Sequence, residues 1–161
     1  LDNLIDGHMA TPAKQDRWSL AQALRMRAKY HILHRSNIEI AKSSAKQALA
    51  LAYGMQIPKI DISVFELDYA MAMHMAGDRE RAKSLWCRIL DFAIDNVTEP
   101  GTASPEDLLY KHALCDRMIC EALDLPRDRG RKQALETALG LAREIGHAHM
   151  HTLAVEIELL S

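Results

Sequence analysis

A chain of 161 residues with 48% hydrophobic and 26% charged side chains is long enough for one continuous core and too apolar to stay disordered. Its formal net charge of −2 excludes global attraction to nucleic acid or anionic lipid, either of which would need a local basic patch. No run approaches the roughly 18 apolar residues that a bilayer span requires, and no charged-then-apolar leader opens the chain. The three cysteines, Cys87, Cys115 and Cys120, are odd in number and lack a framework spacing, so reduced, buried thiols and a cytoplasmic address are expected.

Residues 1 to about 14 read as a tag-like or disordered segment, in which Gly7-His8-Met9 resembles a cloning scar. From there apolar residues recur at three- and four-residue steps, and alternating β-branched runs are absent, which predicts a nearly all-α domain over residues 15–161. The first helix places Ala21, Leu24, Ala28 and Ile32 on one face and stops near Arg35-Ser36-Asn37. The second carries Ile38, Ala41, Ala45, Ala48 and Ala52 inward, with Gly54 expected as a left-handed stop and Pro58 behind it.

The third helix presents Ile62, Phe65, Tyr69, Met73 and Ala76 and ends at Gly77-Asp78; the fourth answers with Ala82, Leu85, Trp86, Ile89 and Ala93. Pro100 and Gly101 mark a loop between Val97 and Ser104, after which Ser104 is the N-cap and Pro105 the first residue of a fifth helix reaching about Asp124. Pro126 to Gly130 read as a turn. A sixth helix follows with Ala134, Leu135, Ala138, Leu141, Ala142 and Ile145, stopped by Gly146. A seventh, from about Ala148 to Leu160, should bury Leu153, Ala154, Ile157 and Leu160.

Self-similarity adds an architecture. Ala48-Leu49-Ala50-Leu51-Ala52 before Gly54 recurs as Ala138-Leu139-Gly140-Leu141-Ala142 before Gly146. Residues 66–93, with small Ala70, the Gly77-Asp78 turn, Ala82 and then Trp86, resemble the tetratricopeptide (TPR) pattern. The turns at Ser36, Gly77 and Arg127 lie 41 and 50 residues apart, against about 34 in the standard repeat, so longer helices are implied. The resemblance is to long-period repeats of bacterial signal-responsive regulators and secretion chaperones. It implies a TPR-like α-solenoid of about seven helices that binds a protein or peptide, as part of a bacterial regulatory or adaptor protein. Two other functions remain open: a regulatory domain that senses a small molecule or peptide, and a helical metal-dependent enzyme.

A second apolar stripe on the third helix, formed by Val64, Leu67, Met71 and His74, lies off its core face, and the first helix has a weaker counterpart in Met26, Tyr30 and Leu33. In the TPR register these positions line the concave groove. Either the third helix is central and buried all round, or these seven residues receive a partner; methionine suits the second role by its flexibility. The apolar edge of the last helix also offers a route to homo-oligomers.

Chemistry finds little support. His147 and His151 share a helical face at the i, i+4 spacing a metal accepts, yet no third ligand is local, and the histidine run reads as a polar helix entry or an acid sensor. Glu144-x-x-His147 is half of a di-iron motif that needs two such units and two further glutamates. Phosphate-binding glycine loops, His-Glu-x-x-His and Cys-x-x-Cys are all missing. Arg127, Arg129, Arg131 and Lys132 form a basic turn without interleaved aromatic residues, so it reads as a solvated turn rather than a nucleic-acid site. No catalytic residue, cofactor or metal is expected.

Overall fold

The computed structural model describes residues 14–97 and 103–160. Over these it is all-α: α1 (Lys14–Leu33), α2 (Ile38–Gly54), α3 (Lys59–Met75), α4 (Arg79–Asn96), α5 (Pro105–Asp124), α6 (Arg129–Ile145) and α7 (Met150–Leu159). No described helix is long and apolar enough to cross a membrane. The segment read as tag-like lies outside the described residues up to position 13, as do Pro100 and Gly101 of the expected loop. Helices adjacent in sequence pack on one another, α1 on α2 on α3 and α5 on α6 on α7, in a helical-repeat arrangement. Two compact units result, Leu1–Leu85 and Trp86–Ser161, with the division inside α4.

In the first unit the core joins Leu20, Ala21, Ala23 and Leu24 of α1 to Ala48, Leu49 and Ala52 of α2 and Phe65 of α3. The inward face of α2 is built from Ala41, Ala45, Ala48 and Ala52, none more than 1% exposed. Their alternating four- and three-residue steps make the narrow seam of a closely approaching helix pair. In the second unit Cys115, Ile119 and Ala122 of α5 meet Leu135, Ala138, Leu139 and Ala142 of α6 and Leu153 of α7. Only Leu153 of α7 is fully buried; Ala154, Ile157 and Leu160, also expected inside, are half-buried against that core. A ten-residue helix that packs chiefly on α6 presents one narrow stripe.

Three helix ends close in the same way. Past α3, Gly77 adopts φ 89° while its amide bonds to the His74 carbonyl and that of Asp78 to Met73. Past α6, Gly146 adopts φ 66° with bonds from Gly146 to Arg143 and from His147 to Ala142. Past α1 the left-handed residue is Arg35 (φ 47°), with bonds from Arg35 to Ile32 and from Ser36 to His31. Each is a Schellman closure, in which a left-handed residue lets two amides reach back to otherwise orphaned carbonyls.

The stop expected at Gly54 is displaced. Gly54 is the last residue of α2, Met55 tightens the turn by bonding to the Ala52 carbonyl, and the left-handed residue is Gln56 (φ 54°). Pro58 does not end α2; it opens α3, its carbonyl taking the Asp61 and Ile62 amides. Gly130 likewise belongs to α6, because Asp128 caps that helix by accepting from the Gly130 and Arg131 amides at 2.9 and 3.1 Å. Since a side chain at positive φ is strained and glycine is not, Gln56→Gly should raise unfolding stability by about 0.5–1 kcal/mol and Gly77→Ala lower it by about 1 kcal/mol. Urea unfolding of both variants measures this; equal midpoints would contradict it.

Candidate functional site

The seven residues expected to line a partner groove separate into two groups. Leu67, Met71 and His74 are buried, at 6%, 4% and 9% exposure, and Val64 is half-buried. The α3 half of the groove is therefore interior, a correction to the open-channel reading. The reason is positional: α3 packs on both α2 and α1, so its second apolar stripe is a second packing face.

Polar groups on α3 reinforce that placement. Glu66 is buried, its two carboxylate oxygens accepting from Lys59 Nζ at 2.8 and 2.7 Å and one of them from the Tyr53 hydroxyl at 2.5 Å. Asp68 accepts from Arg25 Nε at 2.5 Å and lies 3.8 Å from Lys29 Nζ. The Arg25 guanidinium also sits over the Phe65 ring, 5.6 Å from its centroid. These contacts tie α3 to α1 and α2 by charge as well as by volume.

The α1 half remains open. Leu20, Ala21, Leu24, Ala28 and Ile32 face inward, while Met26 and Tyr30 on the opposite side are each 56% exposed and Leu33 is half-buried. Met26, Tyr30 and Leu33 stand at i, i+4 and i+7, a straight strip of two turns. The Tyr30 ring is held edge-on by His31 at 5.4 Å and tilted against His34 at 4.6 Å.

The second unit holds polar arrangements that sequence periodicity did not reveal. His147, expected as part of a solvated entry, is 8% exposed, and its Nε2 lies 2.7 Å from Asp116 Oδ1. Its Nδ1 accepts from the His149 amide at 3.2 Å. A ring nitrogen that accepts carries no proton, so the imidazole proton is on Nε2 and is donated to the carboxylate. His112 and His149 flank the ring at 5.4 and 5.2 Å.

The expected His147 and His151 pair does not form, because the left-handed Gly146 turn precedes α7, which begins only at Met150, and His151 is exposed. Among the described residues no group of three His, Cys, Asp or Glu side chains is placed to hold a metal ion. Glu144, the other half of the formal di-iron motif, is exposed and pairs with Lys111 at 2.8 Å; with Asp107, this holds the Lys111 ammonium above its usual range. Glu144 and His147 thus serve different partners.

Arg131 corrects the solvated-turn reading of the basic cluster. It is buried, donating to the Leu123 and Leu125 carbonyls at 3.1 and 3.2 Å and pairing with Glu156 at 3.3 Å. It thereby satisfies the C-terminal end of α5 and draws α7 to α6. Arg127 and Arg129 are exposed.

Cys115 and Cys120 are buried, whereas Cys87 is half-buried rather than enclosed as expected. Burial, helped by the neighbouring Asp116 carboxylate, pushes the Cys115 thiol from 9.0 up to about 12. It is a held proton donor, reaching the Ala138 carbonyl at 3.8 Å. Above pH 9 the unfolded thiol ionises while the folded one keeps its proton, so this group's contribution to stability is complete below pH 9 and is lost as pH rises toward about 12. Cys115→Ala should accordingly flatten the decline of stability between pH 8 and about 10.5; an unchanged slope in urea unfolding would contradict it.

A charged residue inside an apolar period is the signal that could have found these sites. Asp116 stands among Ala113, Ile119 and Cys120, Arg131 precedes Leu135 and Ala138 by four and seven positions, and Glu66 precedes Ala70 and Met73 likewise. Each is paired within the fold, as buried charge requires. Compared with known protein families, with curated proteins and with solved structures, the chain has no match in any of the three.

Proposed function

We propose that the chain is a protein- or peptide-binding module of TPR-like character, part of a bacterial regulatory or adaptor protein, and that it uses the outward face of α1. The observation that carries this reading is the strip of Met26 and Tyr30, both 56% exposed, on a helix whose other face is buried. Helical anchors at i, i+4 and i+7 are the spacing by which helix-mediated recognition works. Covering about 100 Å² on each of two such side chains yields roughly 5 kcal/mol at 25 cal/mol per Å², before association and ordering offset much of it.

A photoreactive phenylalanine analogue in place of Tyr30, in the full chain expressed in bacterial cells, should form a discrete protein adduct. The same analogue at Lys46, exposed on α2, should not. Equal labelling at both positions, or none at position 30, contradicts the reading. Met26→Ser with Tyr30→Ser should abolish the adduct formed by an analogue placed at Leu33 while leaving unfolding stability within about 0.5 kcal/mol, as exposed sites allow.

A further inference from the structure

The charges around the α1 strip distinguish one kind of partner from others. From Arg17 to Ile38 the chain carries Arg17, Arg25, Arg27, Lys29 and Arg35 and no aspartate or glutamate. At about 100° per residue, Arg27 borders the Met26 line on one side and Lys29 on the other. Asp68 takes Arg25 directly and approaches Lys29 at 3.8 Å, yet the Lys29 side chain remains 43% exposed. An apolar line between cations, on a helix whose one carboxylate, Asp16, stands in the first turn ten residues before Met26, repels a basic partner and favours an acidic one.

Shape adds the conformation. The strip is straight, about 10 Å long at 1.5 Å rise per residue, and lies on a helix that offers neither a strand edge nor backbone donors to an extended peptide. A second helix packs its ridges against such a surface. Resting on the binding-module reading, we propose that the outward face of α1 docks an acidic amphipathic helix, whose apolar residues cover Met26, Tyr30 and Leu33 and whose carboxylates face Arg27 and Lys29. A nucleic acid is the weaker match, because the strip has one aromatic ring, already packed between His31 and His34, and the cations are partly committed to Asp68. An anionic membrane is weaker too, since three apolar side chains on a helix fixed to its neighbours give little to insert.

The test is selection of a displayed library of random 16-residue peptides on the full chain, with the Met26→Ser, Tyr30→Ser chain as counter-selection. The expected result is an enriched pool that is net acidic, with apolar residues at three- and four-residue steps. Binding of its leading peptide should weaken about tenfold on adding salt and about tenfold with Lys29→Glu, whose helical content should match the parent. Enrichment without acidic bias overturns this proposal and leaves the binding-module reading standing; no strip-dependent enrichment overturns both. Vesicles of phosphatidylcholine with 30% phosphatidylserine and a 20-base oligonucleotide complete the set, and strip-dependent binding to either, exceeding that of the peptides, overturns the acidic-helix proposal.

Discussion

Replacing Leu67 and Met71 together with serine is expected to unfold the first unit. Both side chains are enclosed, at 6% and 4% exposure, on the helix that packs against α1 and α2. Truncating a buried leucine or methionine costs about 2–5 kcal/mol, and serine adds a hydroxyl that must find a partner inside. Two such changes cost about 5 kcal/mol or more, comparable with the roughly 5–15 kcal/mol that holds a domain together. Circular dichroism and urea unfolding of the full chain should show lost helix or a large drop in midpoint, whereas Met26→Ser with Tyr30→Ser shows neither. A double serine variant that kept its midpoint within about 1 kcal/mol would return Leu67 and Met71 to the surface.

The second large effect belongs to His147. In His147→Ala the Gly146 turn persists, because the bond from residue 147 to Ala142 is made by the backbone. What disappears is the Nε2 donor that lies 2.7 Å from the Asp116 carboxylate, a side chain buried at 7% exposure. Leaving a buried carboxylate without its donor costs about 3 kcal/mol. Asp116→Ala in the His147→Ala background should recover part of that loss, giving a coupling energy of about 1–3 kcal/mol in a double-mutant cycle. Strictly additive losses would mean that the two side chains do not act as a pair.

Helices were legible in the sequence because their signals are local. Ser104 ahead of Pro105 announces a start, and the caps at Gly77 and Gly146 announce ends; the structure has Ser104 accepting from the Asp107 amide and both glycines at positive φ. Gly54 misled because a glycine permits a left-handed turn without requiring one, and the tightened bond from Met55 to Ala52 carried the reversal two residues on, to Gln56. The groove was only half legible. A second apolar stripe on α3 records that two surfaces are covered, not whether the cover belongs to the same chain, and that depends on α1 and α3 meeting across an intervening helix. Partners such as Asp116 with His147, separated by 31 positions, have no local signature beyond a charge in an apolar period.

The row of alanines along α2 sets a limit in both directions. At Ala41, Ala45, Ala48 and Ala52 a methyl group is already the spacer between two helix axes about 8 Å apart, so valine forces the rods asunder and glycine loosens the rod itself by about 1 kcal/mol. The first hairpin is consequently a gauge of fixed width, and any drift in its sequence is confined to the side turned away from α1.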